Sequence, residues 1–107
     1  MAIVLREYLD EKGESPFAQW FEGLNATAAA KVAAFLYRME QGNLSRVKGV
    51  GSGVCEFKID FGPGYRIYFG KDGEEIIILL GGGSKKRQAA LSCWQGYKRR
   101  KRQEVIQ

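Results

Sequence analysis

The chain has 107 residues, 45% of them hydrophobic and 27% charged, with a formal net charge of +5 at pH 7. This composition argues against an intrinsically disordered protein and predicts one domain, residues 1–107, with room for one modest hydrophobic core. There is no histidine, and the two cysteines lack the spacing of a metal-ligand pair, so we expect no zinc site and no cofactor. The excess positive charge predicts an anionic partner, most simply nucleic acid.

The short apolar start and the lack of a long apolar run predict a cytoplasmic protein. The first charge, Arg6, follows a short apolar start that includes Ile3-Val4-Leu5, which is too short for a signal peptide. No apolar run approaches the roughly 20 residues that span a bilayer, so no membrane association is expected. Cys55 and Cys93 each fall within an apolar pattern, which predicts that they are small buried hydrophobic residues.

The first third of the chain predicts a short strand over 2–8 and then two helices. Ser15 is a good N-cap and Pro16 suits the first helical position, while Asn25 caps a second helix that runs through Gln41. Apolar residues recur at intervals of three and four in both segments, which is typical of amphipathic helices. Together they predict a helical hairpin.

The remainder of the chain predicts a sheet and a final helix. Residues 43–52 read as a glycine-containing loop, after which apolar and polar residues alternate over 54–61, as in a strand with one buried face. Further strands are expected over 65–69 and 76–80, the latter apolar on both faces and therefore central. A helix capped by Ser84 should run to about residue 102. The predicted order is β-α-α-β-β-β-α, an α+β fold with an antiparallel sheet.

The predicted hairpin around Gly62-Pro63-Gly64 places charged residues on one face. Pairing Phe61 with Tyr65, or a register shifted by two residues, keeps all the apolar residues together, because a shift of one would mix the faces. In the first register Asp60 lies beside Arg66, and a plain cross-strand ion pair is one explanation of that arginine. The same polar face also carries Glu56, Lys58 and Tyr68.

A cationic turn follows the last strand. Gly81-Gly82-Gly83 leads into Lys85, Lys86 and Arg87 at the start of the final helix. Cations are unfavourable at a helix N-terminus unless an anion binds there, and they would converge with Arg66. The sequence therefore predicts a phosphate-binding site. The glycines match no nucleotide-binding loop, which disfavours a nucleotide cofactor.

Four segments carry a family resemblance: 47–51, 54–60, 62–69 and 79–88. They resemble the addiction-module killer proteins, phage-related HigB-like toxins of the RelE/ParE superfamily. The resemblance implies a helical hairpin packed on an antiparallel sheet and closed by a C-terminal helix. It also implies a toxin that cleaves messenger RNA on the ribosome and is neutralised by a cognate helix-turn-helix antitoxin.

The resemblance further implies a reaction and its residues. In that chemistry a ribose 2′-hydroxyl attacks the adjacent phosphate and leaves a 2′,3′-cyclic phosphate. Arg66 would bind the phosphate, and Lys85 or Lys86 would neutralise charge or deliver a proton, whereas Glu56 and Tyr68 are the other candidates for proton transfer. The expected RNA-backbone contacts are Arg46, Lys48, Lys58, Arg87, Lys98, Arg99 and Arg100.

Other functions remain open from the sequence. A ParE-like inhibitor of gyrase would share the fold without catalysis, and a decayed regulatory or RNA-binding module is a further alternative. The basic run at 98–102 is also compatible with a solvated or antitoxin-facing helix end. Retention of Arg66 and the lysines favours the nuclease, since a pure inhibitor need not keep a phosphate site.

Overall fold

The computed structural model describes residues 2–62, 64–83 and 86–106, with only the backbone described over 103–106. Its elements in chain order are β1 (Val4–Glu7), α1 (Pro16–Glu22), α2 (Ala26–Glu40), β2 (Val47–Gly51), β3 (Val54–Ile59), β4 (Tyr65–Asp72), β5 (Ile76–Gly82) and α3 (Arg87–Ile106). The strands form one sheet in the order β1-β5-β4-β3-β2. The predicted α+β fold class is confirmed.

The predicted starts of the two N-terminal helices are confirmed by their caps. The Ser15 hydroxyl accepts a hydrogen bond from the Ala18 backbone N–H at 3.0 Å, and Pro16 occupies the first position of α1. The Asn25 side chain accepts from the Ala28 N–H at 2.9 Å, which caps α2. Each cap satisfies a backbone donor that the helix itself leaves unpaired.

The prediction of a loop over 43–52 is partly wrong, because Val47–Gly51 form the edge strand β2. This strand pairs antiparallel with β3, and Gly51 lies opposite Val54. Ser52 and Gly53 form the two-residue turn between them with φ values of 56° and 87°. Positive φ at both positions is the type I′ geometry that suits a tight hairpin. The glycines of β2 removed the alternation by which a strand is recognised.

The register of the β3–β4 hairpin is the alternative shifted by two residues. Ile59 lies opposite Tyr65 and Lys58 opposite Arg66, so the predicted pairing of Phe61 with Tyr65 is wrong. Phe61 instead belongs to the connection, where its ring stacks on that of Tyr65 with centroids 6.5 Å apart. Because the shift is even, every side chain keeps its predicted face.

The sheet is mixed rather than wholly antiparallel. β1 runs parallel to β5, with Val4 opposite Ile76, while β5 pairs antiparallel with β4 on its other side. β5 is therefore the internal strand that its apolar sequence predicted, and Ile77 to Leu80 are each at most 3% exposed. A strand flanked on both edges and covered on both faces needs an uninterrupted apolar run.

Two hydrophobic clusters, one on each face of the sheet, replace the single core expected from the sequence. The cluster beneath α1 and α2 includes Phe17, Val32 and Phe69, and the cluster beneath α3 includes Tyr68 and Trp94. Helices on both faces of the sheet account for this division. The structure thus has a three-layer arrangement in which α3 covers the face that carries the polar side chains of the hairpin.

The two cysteines are partly buried and neither forms a disulfide. Cys55 packs against the cluster under α1 and α2, and Cys93 against the cluster under α3. Burial raises the pKa of both thiols. They act as small apolar side chains, although they are less buried than predicted, because each lies at the margin of its cluster.

The second half of α3 is held against the sheet by polar contacts. The carboxylate of Asp72 at the end of β4 accepts hydrogen bonds from the Tyr97 hydroxyl at 2.5 Å and from the Lys101 ammonium. Arg100 donates to the Leu9 carbonyl at 2.8 Å. The bond from Lys101, followed by that from Tyr97, lowers the pKa of Asp72. These contacts fix where α3 lies on the sheet.

Replacing Asp72 with Asn should lower the free energy of unfolding near neutral pH and flatten its acid dependence. The folded-state pKa lies below the ordinary value of 3.8, so the carboxylate stabilises the fold above that value. This stability is lost as the pH falls through the depressed folded value. Urea unfolding between about pH 7 and about pH 2 measures the effect, with Asp60→Asn, at an exposed ion pair, as the control. Equal acid dependence in wild type and Asp72→Asn would contradict this assignment.

Candidate functional site

The polar face of the β2–β3–β4 sheet gathers most of the candidate residues. Lys48 lies opposite Glu56 across β2 and β3, and Glu56 lies opposite Tyr68 across β3 and β4. Lys58 and Arg66 form the next facing pair. Side chains at paired positions share a face, so the register brings these five to the α3 side of the sheet.

A cleft of about 380 Å³ opens where the first turn of α3 meets this face. We call it the arginine cleft, and its lining residues are Glu56, Arg66, Tyr68, Arg87 and Gln88. Three come from the facing strands and two from the first turn of the helix. The cleft thus exists only because α3 begins directly above the polar part of the sheet.

Glu56 lies between two arginines at the base of the arginine cleft. The residue is 7% exposed, and its Oε1 accepts a hydrogen bond from Arg66 Nε at 3.0 Å. Its Oε2 lies 3.5 Å from Arg87 Nη2 and has no hydrogen-bond partner among the described residues. Burial of a carboxylate requires paired charges, which the two guanidinium groups supply.

The geometry leaves donors of both arginines available to a ligand. Arg66 uses its Nε–H on Glu56, and its two Nη groups make no hydrogen bond within the described ranges. The Arg66 side chain is 30% exposed and that of Arg87 is 52% exposed. Guanidinium groups are planar forked donors that match the oxygens of a phosphate. The arrangement can bind an oxyanion between Arg66 and Arg87.

Tyr68 and the glycine turn join the sheet to the start of α3. The Gly83 N–H donates to the Arg66 carbonyl at 3.0 Å, and the Lys86 backbone lies near the Tyr68 hydroxyl. Burial raises the pKa of Tyr68, and the nearby Glu56 carboxylate raises it further. The bond from Gly83 ties the glycine turn to β4 beside the cleft.

Of the two lysine candidates, the structure describes Lys86, which stands just before α3. Ser84, predicted as the helix cap, and Lys85, a candidate for catalysis, lie outside the described residues. Lys86 is exposed, and its carbonyl accepts the Ala90 N–H at 3.1 Å, so that the helix begins at Arg87. Lys86 therefore stands at the N-terminal end of α3, next to the arginine cleft.

The cross-strand ion pair between Arg66 and Asp60, considered as one explanation of Arg66, does not form in the observed register. The two-residue shift places Arg66 against Glu56, and Asp60 instead pairs with Arg46 at 3.1 Å and Lys58 at 3.8 Å. Both of those pairs are largely exposed, so they cost little to open. The face beside the cleft therefore carries cations that a polyanion can engage.

The candidates at the other end of α3 do not reach the arginine cleft. Lys98 lies eleven residues beyond Arg87, about 16 Å along the helix axis. Arg100 is engaged with the Leu9 carbonyl, while Arg99 is exposed on the helix. Helix spacing alone separates this basic run from the cleft.

Sequence reasoning assigned no role to Gln88 and did not pair Arg87 with Glu56. Both residues line the arginine cleft because they occupy the first turn of α3. Their position after the lysines was the available signal, but the partner of Arg87 depends on how the helix docks.

The described residues provide neither a metal cluster nor a membrane span. Over 2–62, 64–83 and 86–106, no group of three or more histidine, cysteine, aspartate or glutamate residues is placed to hold a metal ion. The helices in those ranges are too short or too polar to cross a bilayer.

Comparison with known proteins places the fold in a class. No protein-family model matches the chain. In solved structures, a double arginine-to-alanine variant of the Escherichia coli toxin RelE in its free state is similar, with a TM-score of 0.59 and 17% identity over 86% of this chain and 93% of that one. The fold is thus RelE-like, as the sequence predicted.

One curated relative is an uncharacterized protein of Haemophilus influenzae. It is 42% identical over 53 residues, which are 49% of this chain and 54% of that protein. The chain therefore spans about half the length of the curated relative that it matches.

Proposed function

We propose that this chain is the toxin of a type II toxin–antitoxin module and acts as a ribosome-dependent endoribonuclease on messenger RNA. The observation that carries the proposal is the arginine cleft, in which Arg66 and Arg87 flank the buried carboxylate of Glu56. Its occurrence on a RelE-like fold supports the same function, because the similar solved structure is described as a toxin. The HigB-like, phage-derived subgroup belongs to this proposal, as do a cytoplasmic location and a helix-turn-helix antitoxin.

The two arginines would bind the phosphate at the cleavage site. Glu56 accepts the Nε–H of Arg66. The Nη groups of Arg66 would then contact the non-bridging oxygens of the phosphate. Arg87 would approach the same phosphate from α3. As charge develops on these oxygens during attack, fixed cationic donors lower the barrier without having to reorganise.

Oε2 of Glu56 is the proposed acceptor of the 2′-hydroxyl proton. It is buried and makes no hydrogen bond among the described residues, with the Arg87 guanidinium 3.5 Å away, so it would take the proton once Arg87 turns to the phosphate and opens this oxygen to a ribose hydroxyl. The 2′-oxygen then forms a bond to phosphorus as the bond from phosphorus to the 5′-oxygen breaks. Lys85, Lys86 or Tyr68 would protonate the departing oxygen, giving a 2′,3′-cyclic phosphate and a 5′-hydroxyl.

The exposed cations beside the cleft would position the RNA strand. Arg46, Lys48 and Lys58 follow the polar face from β2 to β3. Contacts with phosphate groups give affinity and orientation but do not read sequence. The strand would therefore cross the sheet towards the arginine cleft.

Cleavage of a defined messenger RNA by the purified chain, with and without programmed ribosomes, tests the proposal. Cuts that require ribosomes and end in a 2′,3′-cyclic phosphate would support it. A folded, toxic chain that leaves the message intact would contradict the nuclease and favour a non-catalytic inhibitor, whose target would then be sought in gyrase.

Arg99 offers a separate prediction about ribosomal RNA. The sequence predicts phosphate contacts for Lys98, Arg99 and Arg100, and of these Arg99 is exposed and free of the contact that engages Arg100. Arg99→Ala should weaken ribosome binding and reduce the slope of log affinity against log salt by about 1. Filter binding over a salt series measures the slope, with Lys12→Ala as the control. An unchanged slope would contradict the phosphate contact.

A further inference from the structure

A second pocket, of about 330 Å³, lies near the other end of α3. We call it the helix-end pocket. Two aromatic rings, four cations and the carboxylate of Asp72 line it, and none of these residues lines the arginine cleft. It is therefore a separate feature of the surface, and the proposed nuclease function does not account for it.

The cations of the helix-end pocket come from two elements. Lys71 is contributed by β4, while Lys98, Lys101 and Arg102 belong to α3. The helix dipole favours cations in the last turn of a helix, but no basic residue lies in the last turn of α3 and Lys71 is on a strand, so this effect explains none of the four. Among the side chains that the structure describes, Lys101 alone of the four pairs with a carboxylate, that of Asp72. The pocket thus has spare positive charge.

The aromatic part of the pocket is a stacked pair. The rings of Trp94 and Tyr97 lie 5.3 Å apart between centroids and are parallel to within 5°. Trp94 packs closely on Gly70, where an added Cβ would lie 2.5 Å from the ring. The Lys98 ammonium lies over the Trp94 ring at 5.8 Å, and that of Lys101 over the Tyr97 ring at 5.9 Å.

This arrangement favours a peptide over a single-stranded nucleic acid bound by base stacking. Single-stranded nucleic acids gain much of their affinity by stacking bases on free aromatic faces. The stacking of Trp94 on Tyr97, the contact with Gly70 and the two ammonium groups occupy those faces. The cationic side chains and the apolar edges of the two rings remain available to a ligand. They suit a peptide in which an acidic residue is followed by an aliphatic one.

We propose that the helix-end pocket binds an acidic peptide segment of a partner protein. Carboxylates of the segment pair with Lys71, Lys98 and Arg102, and an aliphatic side chain packs against the edges of Trp94 and Tyr97. The proposal does not depend on RNA cleavage, because it uses no residue of the arginine cleft. The docking site shares no lining residue with the arginine cleft.

The two tryptophans provide a direct test by NMR. Trp94 lies in the helix-end pocket, whereas Trp20 packs under α1 on the other face of the sheet, so the Trp20 indole N–H signal serves as an internal control. The intact ¹⁵N-labelled chain is titrated with a blocked peptide of alternating glutamate and leucine. A peptide of alternating glutamine and leucine and a thymidine oligonucleotide are the comparison ligands.

The glutamate peptide should shift the Trp94 indole signal and leave that of Trp20 in place. Lys98→Glu should weaken this binding at least about tenfold, and Lys71→Glu, on the strand, should do the same. Lys12→Glu, with the same change of charge on an exposed loop, should bind as wild type does. The amide spectrum shows whether each variant is folded.

Three results would overturn the proposal. The first is a Trp94 signal that the glutamate peptide leaves in place. The second is a glutamine peptide that binds as tightly as the glutamate peptide. The third is an oligonucleotide that shifts the Trp94 signal with a higher affinity than the glutamate peptide does. The last would instead assign the pocket to RNA, as the sequence predicted for Lys98.

Discussion

Arg66→Ala should lower the rate of RNA cleavage by roughly 10²–10³-fold, the usual cost of removing one donor to a developing oxyanion. The side chain lies on the polar face of β4, outside both hydrophobic clusters, and its loss removes the Nη donors proposed to hold the phosphate. Single-turnover cleavage on programmed ribosomes measures the rate. Circular dichroism and urea unfolding measure whether the fold is retained.

Two further substitutions sharpen this test. Arg66→Lys keeps the charge but loses the forked donor, so it should recover only a small part of the rate. Arg38→Ala removes an exposed arginine from α2, on the opposite side of the sheet, and should cleave as wild type does. Unfolding of Arg66→Ala would show that the arginine is chiefly structural through its bond to Glu56. Full activity in a folded Arg66→Ala would contradict the proposed phosphate contact.

Gly82→Ala should lower the free energy of unfolding by about 1–3 kcal/mol, the usual cost of overpacking a filled site. A Cβ at this position would lie 2.2–2.4 Å from three ring carbons of Trp20, so the indole or the strand must move. The next residue, Gly83, donates to the Arg66 carbonyl, and displacement of this turn should therefore also reduce cleavage. Urea unfolding gives the stability change.

Gly49→Ala is the matched control for this substitution. Gly49 also lies in a strand, β2, but a Cβ there would have no neighbour within 4 Å. The free energy of unfolding of Gly49→Ala should differ from that of the wild type by no more than about 0.5 kcal/mol, as is usual at an open surface position. Equal effects of Gly82→Ala and Gly49→Ala would contradict the close packing of Trp20 on the end of β5.

The parts of the fold that follow from local chemistry could be predicted. The caps at Ser15 and Asn25 depend on residues within one helical turn, and the apolar run of β5 shows directly that the strand is internal. β2 could not be recognised by its pattern, because Gly49 and Gly51 carry no side chain to alternate. Its strand geometry comes from pairing with β3, which is a tertiary contact.

The same distinction applies to the candidate site. Alternation placed Arg66 and Glu56 on one polar face, but it could not choose between two registers that differ by an even number of residues. The observed register makes Glu56 rather than Asp60 the partner of Arg66. The contact of Arg87 with Glu56 depends on where α3 docks, which the bonds of Asp72 and the glycine turn help to set.

The most direct test of the central claim uses a message with one altered ribose. After the ribosome-dependent cleavage site has been mapped, the nucleotide before it is replaced by its 2′-deoxy form, and the message is returned to programmed ribosomes with the wild-type chain. Attack by the 2′-hydroxyl predicts no cleavage at that linkage and a 2′,3′-cyclic phosphate at the same linkage of the unaltered message. Cleavage of the 2′-deoxy linkage, or no cleavage of either message by a folded chain, would contradict the proposed mechanism.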